Sequence, residues 1–169
     1  AWASIGFGTS TQLSLGASAM YGTYDPDNDL EFWILGADAV LRTDAVTVRA
    51  EYLLRRTEMS LGEDAGDRFR YTTGPEGRHD GFFLKDGFYG EVEVPWGRVD
   101  LVARWDGLRR LGNVVQTSAL RSKSLLLRYT AAMSIQVEAA MRIKISAELY
   151  DASDFDDEVA LHVGVASAF

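Results

Sequence analysis

From Ile135 to Tyr150 every odd position is apolar: Ile135, Val137, Ala139, Met141, Ile143, Ile145, Ala147 and Leu149. Of the even positions, Gln136, Glu138, Arg142, Lys144, Ser146 and Glu148 are polar or charged. Successive side chains of a strand point to opposite faces, so this stretch predicts one long ribbon with an oily face and a charged face. Strands of soluble domains run about five or six residues. A tilted strand crossing a bilayer needs about 9–11 residues of such alternation. The pattern predicts a membrane-spanning β-barrel.

The same rhythm recurs along the chain. It predicts antiparallel strands near 11–24, 30–42, 45–57, 81–95, 98–106, 119–131, 135–150 and 157–169, in an all-β up-and-down transmembrane barrel. Leu13, Leu15, Ala17, Ala19 and Tyr21 share one face of the first of these, and Trp33, Leu35, Ala37, Ala39 and Leu41 one face of the second. Val46, Val48, Ala50, Tyr52 and Leu54 continue the oily set, as do Val99, Leu101, Ala103 and Trp105. Connections are expected to be short at 9–10, 43–44, 95–97 and 131–134. Longer ones are expected at 25–29, 58–80, 107–117 and 151–156, an asymmetry that outer-membrane barrels show between periplasmic turns and outer loops. Trp2–Gly8 reads as the tail of an earlier strand. The chain is therefore expected to be a C-terminal segment of a larger barrel. A closed barrel of eight strands, with Thr11–Tyr24 pairing to Asp157–Phe169, is the alternative.

Aromatic residues lie near strand ends on the oily parity (Tyr21, Trp33, Tyr52, Trp96, Tyr129, Phe169), where interfacial girdles belong. A soluble lipocalin-like binding barrel has the same alternation with the faces reversed, and it stands as a second reading. The net charge of −8 disfavours nucleic acid as a partner. Cysteine is absent, which excludes disulfides and thiolate metal sites. A mean hydropathy of −0.09 is what two opposite faces average to.

The inward parity carries the residues expected to line a pore. These are Arg49, Glu51, Arg55, Lys85, Glu91, Glu93, Asp100, Arg104, Asp106, Arg128, Glu138, Arg142, Lys144 and Glu148, with Glu158 on the last strand. Opposite charges across an aqueous lumen hold water and orient solutes. Alternatively they pair and stiffen a closed wall, as in a structural component of an envelope assembly. Arg142 and Lys144 are expected mid-strand, facing the lumen near Glu138 and Glu148 or acids of adjacent strands.

Asp25, Asp27 and Asp29, and likewise Asp154, Asp156 and Asp157, are clusters that could hold calcium or bridge lipopolysaccharide through a divalent cation. The first lacks the glycine of an EF-hand loop, so both read as solvated loops, and no cofactor is expected. His79 and His162 are the only histidines. No nucleophile motif accompanies them, and catalysis is not expected.

Gly36-Ala-Asp-Ala-Val-Leu-Arg42, Val48-Arg-Ala-Glu-Tyr-Leu53 and Asp86-Gly-Phe-Tyr-Gly-Glu-Val-Glu93 resemble the C-terminal half of porins of the phosphate-selective O and P type. The terminal Phe169 resembles the assembly signal of outer-membrane proteins. The resemblance implies a bacterial outer-membrane location and a homotrimer of larger barrels, each of about sixteen strands. It also implies partners among outer-membrane lipid, lipopolysaccharide and small polar solutes. The family's selectivity rests on basic pore residues; the mixed acids and bases here depart from that pattern.

Overall fold

The computed structural model describes residues 2–7, 10–58, 82–112, 125–153 and 156–167. Among these, nine strands follow one another: β1 (Trp2–Phe7), β2 (Thr11–Thr23), β3 (Glu31–Arg42), β4 (Thr47–Glu58), β5 (Phe82–Trp96), β6 (Val99–Gly112), β7 (Leu125–Glu138), β8 (Met141–Ala152) and β9 (Glu158–Ser167). Each pairs antiparallel with its neighbour in sequence, giving a single sheet in the order β1 to β9. The sheet is not closed. β2 pairs with β1 and β3, β9 pairs with β8, and no bond joins β2 to β9. Among the described residues no helix is long and apolar enough to cross a membrane, a statement that bears on helices alone.

The long ribbon expected over Ile135–Tyr150 is a hairpin. β7 runs on through the expected turn at 131–134 and ends at Glu138; Ala139 and Ala140 turn, and β8 starts at Met141. The alternation survives for a geometric reason. Across a two-residue turn, partners differ by an odd number, so oily positions should change from odd to even. At the Gly97-Arg98 turn they do: Val92 pairs with Ala103 and Val94 with Leu101. In the β7–β8 hairpin a bulge between Gln136 and Glu138 inserts one residue, Val137, and restores the phase. Ile135 therefore faces Ile143, odd against odd.

Other boundaries also move. β6 continues to Gly112, through residues expected to start a loop at Gly107. Gly107 lies between Phe88 and Leu127, where a Cβ would come within 2.7 and 2.8 Å of their side chains. A side chain at this position would have to displace the ends of both, and glycine spares them that shift. Pro95 and Trp96 belong to β5, and the turn falls on Gly97, whose φ of +65° suits glycine. Asp151 and Ala152 belong to β8 rather than to a loop. The start of the expected strand at 119, most of the loop at 58–80, and Phe169 lie outside the described residues. The alternation of connections stands, with turns at 43–46, 97–98 and 139–140 set against longer segments at 24–30, 59–81 and 113–124.

Register carries one face across the sheet without a break. One row reads Leu15–Ala39–Ala50–Gly90–Trp105–Tyr129–Leu149–Val159, and the next reads Leu13–Leu41–Val48–Val92–Ala103–Ala131–Ala147–Leu161. The reverse face carries the charges, and along β6 and the second half of β8 it is the sheltered one. Along β6, Leu101, Ala103 and Trp105 are exposed while Val102, Arg104 and Asp106 are half-buried. Along β8, Ala147 and Leu149 are exposed while Ser146, Glu148 and Tyr150 are half-buried. A soluble barrel would shelter the oily set.

Candidate functional site

A ladder of alternating charge crosses six strands of the sheltered face. Arg49 on β4 stands opposite Glu91 on β5, and its Nη1 lies 2.7 Å from Glu91 Oε1 and 2.7 Å from Glu93 Oε2. Glu91 Oε2 is 3.5 Å from Arg104 Nη1 on β6, and Arg104 Nε is 3.2 Å from Asp106 Oδ2. That same Oδ2 is 3.0 Å from Arg128 Nε on β7. Arg128 Nη1 lies 3.6 Å from Glu148 on β8, and Glu148 lies 3.7 Å from His162 Nε2 on β9. Every link joins opposite signs once His162 is protonated. The β-pleat makes this possible, because alternate residues of adjacent strands lie about 5 Å apart on one face.

Aromatic groups brace the arginines. The Arg104 guanidinium carbon sits 4.2 Å from the Tyr89 ring centroid, and that of Arg128 lies 6.0 Å from the Tyr150 ring. Tyr150 donates its hydroxyl to Glu148 at 2.6 Å. Arg55, on the same face, lies over Phe32 at 5.4 Å and donates Nε–H to Thr57.

Most of the expected pore-lining residues thus share this face, but not all join the ladder. Glu51 stands opposite Tyr89 and Asp38, a like-charged neighbour. Arg55, Lys85 and Arg110 form one register row of three cations on β4, β5 and β6. Lys144 lies opposite Ser134 and Gly164. Glu138 departs from expectation: the bulge pairs it with Met141, in the oily row, and leaves it exposed at the hairpin end. Arg142 is the second residue of β8 rather than a mid-strand residue. Its Nη1 reaches Asp100 Oδ2 on β6 at 2.6 Å rather than Glu138 or Glu148.

Asp100, Ser134, Arg142, Lys144 and His162 surround a depression of about 500 Å³ on the charged face. Ser134 Oγ and Thr130 Oγ1, also on that face, are buried without a hydrogen-bond partner. A wider groove of about 700 Å³ is floored by Ala50, Gly90, Ala103, Ala131 and Ala147. It follows from small side chains on the oily face and holds no convergent polar chemistry.

One polar cluster has no place among the expected site residues. Asp86 lies on the oily parity of β5, almost wholly buried. Arg109 opposite it donates Nε–H to Oδ1 at 3.1 Å and Nη2–H to Oδ2 at 2.6 Å, while Tyr52 Oη donates to Oδ2 at 2.8 Å. Two charges out of phase with an alternating strand were the available signal.

The first aspartate cluster is a turn. Asp25 Oδ1 accepts from Leu30 N at 2.8 Å and Oδ2 from Asp29 N at 3.2 Å. These bonds hold the Asp25 carboxyl below the usual carboxylate range, the Leu30 amide contributing most. Asn28 takes the left-handed conformation that asparagine tolerates, with φ 59°. Asp154 and His79 lie outside the described residues. Among the described residues, no group of three or more acids or histidines is arranged to hold a metal ion. No protein-family model, curated protein or solved structure matches the chain.

Proposed function

We propose that the sheet is part of the wall of a bacterial outer-membrane channel, oily face to lipid and charged face to water, through which small hydrophilic solutes or ions diffuse passively. The reading rests on the inverted burial. Ile5, Leu15, Leu35, Val92, Leu101, Trp105, Tyr129, Leu149, Leu161 and Val165 are exposed on one continuous face, far beyond the few hundred Å² of apolar patch that soluble monomers tolerate. The height of that face also fits. Arg109, the first charge that β6 carries on this face, lies ten steps along the strand from Val99. That is ~33 Å of strand, or ~25 Å along the axis of a barrel tilted by about 40°, which equals the apolar band of such barrels. Unpaired backbone at the edges of β1 and β9 is costly in lipid, so the wall requires further strands beyond those two.

A second reading, a closed structural wall in an envelope assembly, is favoured by one observation: the ladder and the Arg142–Asp100 pair take up nine of the fifteen charges expected to line a lumen. Two measurements separate the possibilities. A protein that stays monodisperse without detergent is not a membrane wall. One that needs detergent and conducts in planar bilayers is a channel, whereas one that inserts silently is structural.

A further inference from the structure

Toward the long connections, one row of the oily face carries charge, with Leu84 of β5 still beyond it. Leu54, Asp86, Arg109 and Leu125 stand side by side in register. Asp86 and Arg109 are both ionised groups, yet they present themselves very differently: the side chain of Asp86 is 0% exposed and that of Arg109 is 48% exposed. The carboxylate lies beneath the guanidinium and the Tyr52 hydroxyl. What meets the surroundings is therefore a cation, held rigidly by two parallel bonds. A guanidinium has five N–H donors, and Asp86 takes two of Arg109's, leaving three. A second guanidinium, that of Arg56, lies on the same face across β5, two residue pairs nearer the long connections; its carbon is 4.8 Å from the Phe82 ring centroid and its Nη1 is 3.3 Å from Glu58 Oε1.

We propose that Arg109, fixed by Asp86 and Tyr52 and assisted by Arg56, binds a phosphate group of lipopolysaccharide on the outside of the wall. The proposal rests on the membrane reading. Arg109 stands ~25 Å above the short-turn row of Val99, which is the height at which a hydrocarbon band gives way to headgroups. It is also at the end of the sheet bearing the long connections, the external side of such barrels and the leaflet that carries lipopolysaccharide. A planar fork matches the oxygens of a phosphate, and a guanidinium anchored in advance loses little freedom on binding. The surrounding leucines suit the acyl chains below the headgroup.

The test uses the full chain purified in detergent. Flotation with phosphatidylcholine vesicles reports the membrane reading on its own, and a chain that does not float overturns both that reading and this proposal. For a chain that floats, affinity is measured for lipopolysaccharide and for the same lipopolysaccharide dephosphorylated enzymatically. The wild-type chain is expected to bind the dephosphorylated form at least about tenfold more weakly, the loss of charge-assisted bonds to one anion. Arg109→Gln is expected to reproduce that loss and Arg56→Gln about a third of it on a logarithmic scale, while Arg42→Gln, at the short-turn end of β3 on the charged face, leaves the affinity unchanged. Equal affinity for both lipids, or a folded Arg109→Gln chain that binds as wild type, overturns the proposal. The comparison of the two lipids needs no variant and stands even where Arg109→Gln misfolds. Inorganic phosphate is expected not to displace the lipid; displacement at the same concentration identifies a site for free anions and overturns lipid binding.

Discussion

Arg49 and Glu91 stand directly opposite each other on β4 and β5, and the guanidinium nitrogen that reaches Glu91 also reaches Glu93, each at 2.7 Å. One cation thereby holds two carboxylates that sit two residues apart on one strand. Their side chains are 17% and 31% exposed, so neither is fully screened by water. The pair lies between the exposed ion pairs that contribute about 0–1 kcal/mol and the buried ones whose rupture costs about 3–5 kcal/mol.

Arg49→Met is expected to destabilise the sheet by about 1–2 kcal/mol, because it takes the cation from Glu93 and leaves Glu91 beside it with Arg104 alone. Arg49→Met combined with Glu91→Gln should recover part of that loss. Denaturant midpoints of the four chains, taken as a double-mutant cycle, give the coupling. A coupling energy of zero would mean that the ladder is ornamental to stability.

The row Arg55–Lys85–Arg110 should behave in the opposite way. Like charges directly opposite on a sheet face repel, so Lys85→Gln is expected to leave stability unchanged or raise it by about 0.2–1 kcal/mol. In a conducting channel it should also shift the reversal potential toward cations, because one positive charge has left the lining. Thermal unfolding and a bi-ionic potential measurement check the two halves separately.

Gly107 and Gly90 offer a contrast on one face. Gly107→Val drives a side chain into Phe88 and Leu127 and is expected to cost about 1–3 kcal/mol. Gly90→Ala meets nothing within 4 Å. It is expected to be neutral or to stabilise by about 0.5–1 kcal/mol, through the entropy that glycine loses on folding. Equal effects at the two positions would contradict the packing described around Gly107.

The Asp25 turn gives a pH dependence of known sign. Its carboxyl titrates lower in the folded chain than the ordinary value of 3.8, because the charged form accepts bonds from the Leu30 and Asp29 amides. A depressed carboxylate contributes stability above its unfolded pKa and loses it as pH falls through its folded one. The turn should therefore hold at pH 5 and loosen only below the usual carboxylate range. The chemical shift of the Leu30 amide, followed downward from pH 5, should titrate with a midpoint below 3.8. Asp25→Asn should abolish the step.

Much of this was legible in the sequence because alternation specifies a face wherever it persists. Trp105, Leu101, Arg104 and Asp106 each sit on the face that their parity predicts. Two kinds of residue escaped. Asp86 and Arg109 break the alternation singly, and their pairing depends on the register of β5 against β6, which parity alone leaves open. The hairpin at Ala139-Ala140 escaped because neither glycine nor proline marks it and because a bulge hides the change of phase.

That bulge yields the sharpest prediction. Gln136 pairs with Arg142 and Glu138 with Met141, so Val137 has no partner across the hairpin. Deleting Val137 leaves every remaining pair of β7 and β8 as it is and converts the end into a regular two-residue hairpin. The deletion is expected to fold, with Ile135 still opposite Ile143. Val102 lies in β6, paired on both sides, and its hairpin with β5 holds no bulge: Trp96 already meets Val99 across two turn residues. Deleting Val102 must shift one part of β6 by a residue and turn its oily set toward the charged face. That chain is expected to lose its folded state in detergent. Circular dichroism and resistance to proteolysis of the two deletion chains, side by side, read the outcome. If both deletions are tolerated equally, register does not fix the faces of this sheet, and the assignment of an oily side and a charged side fails with it.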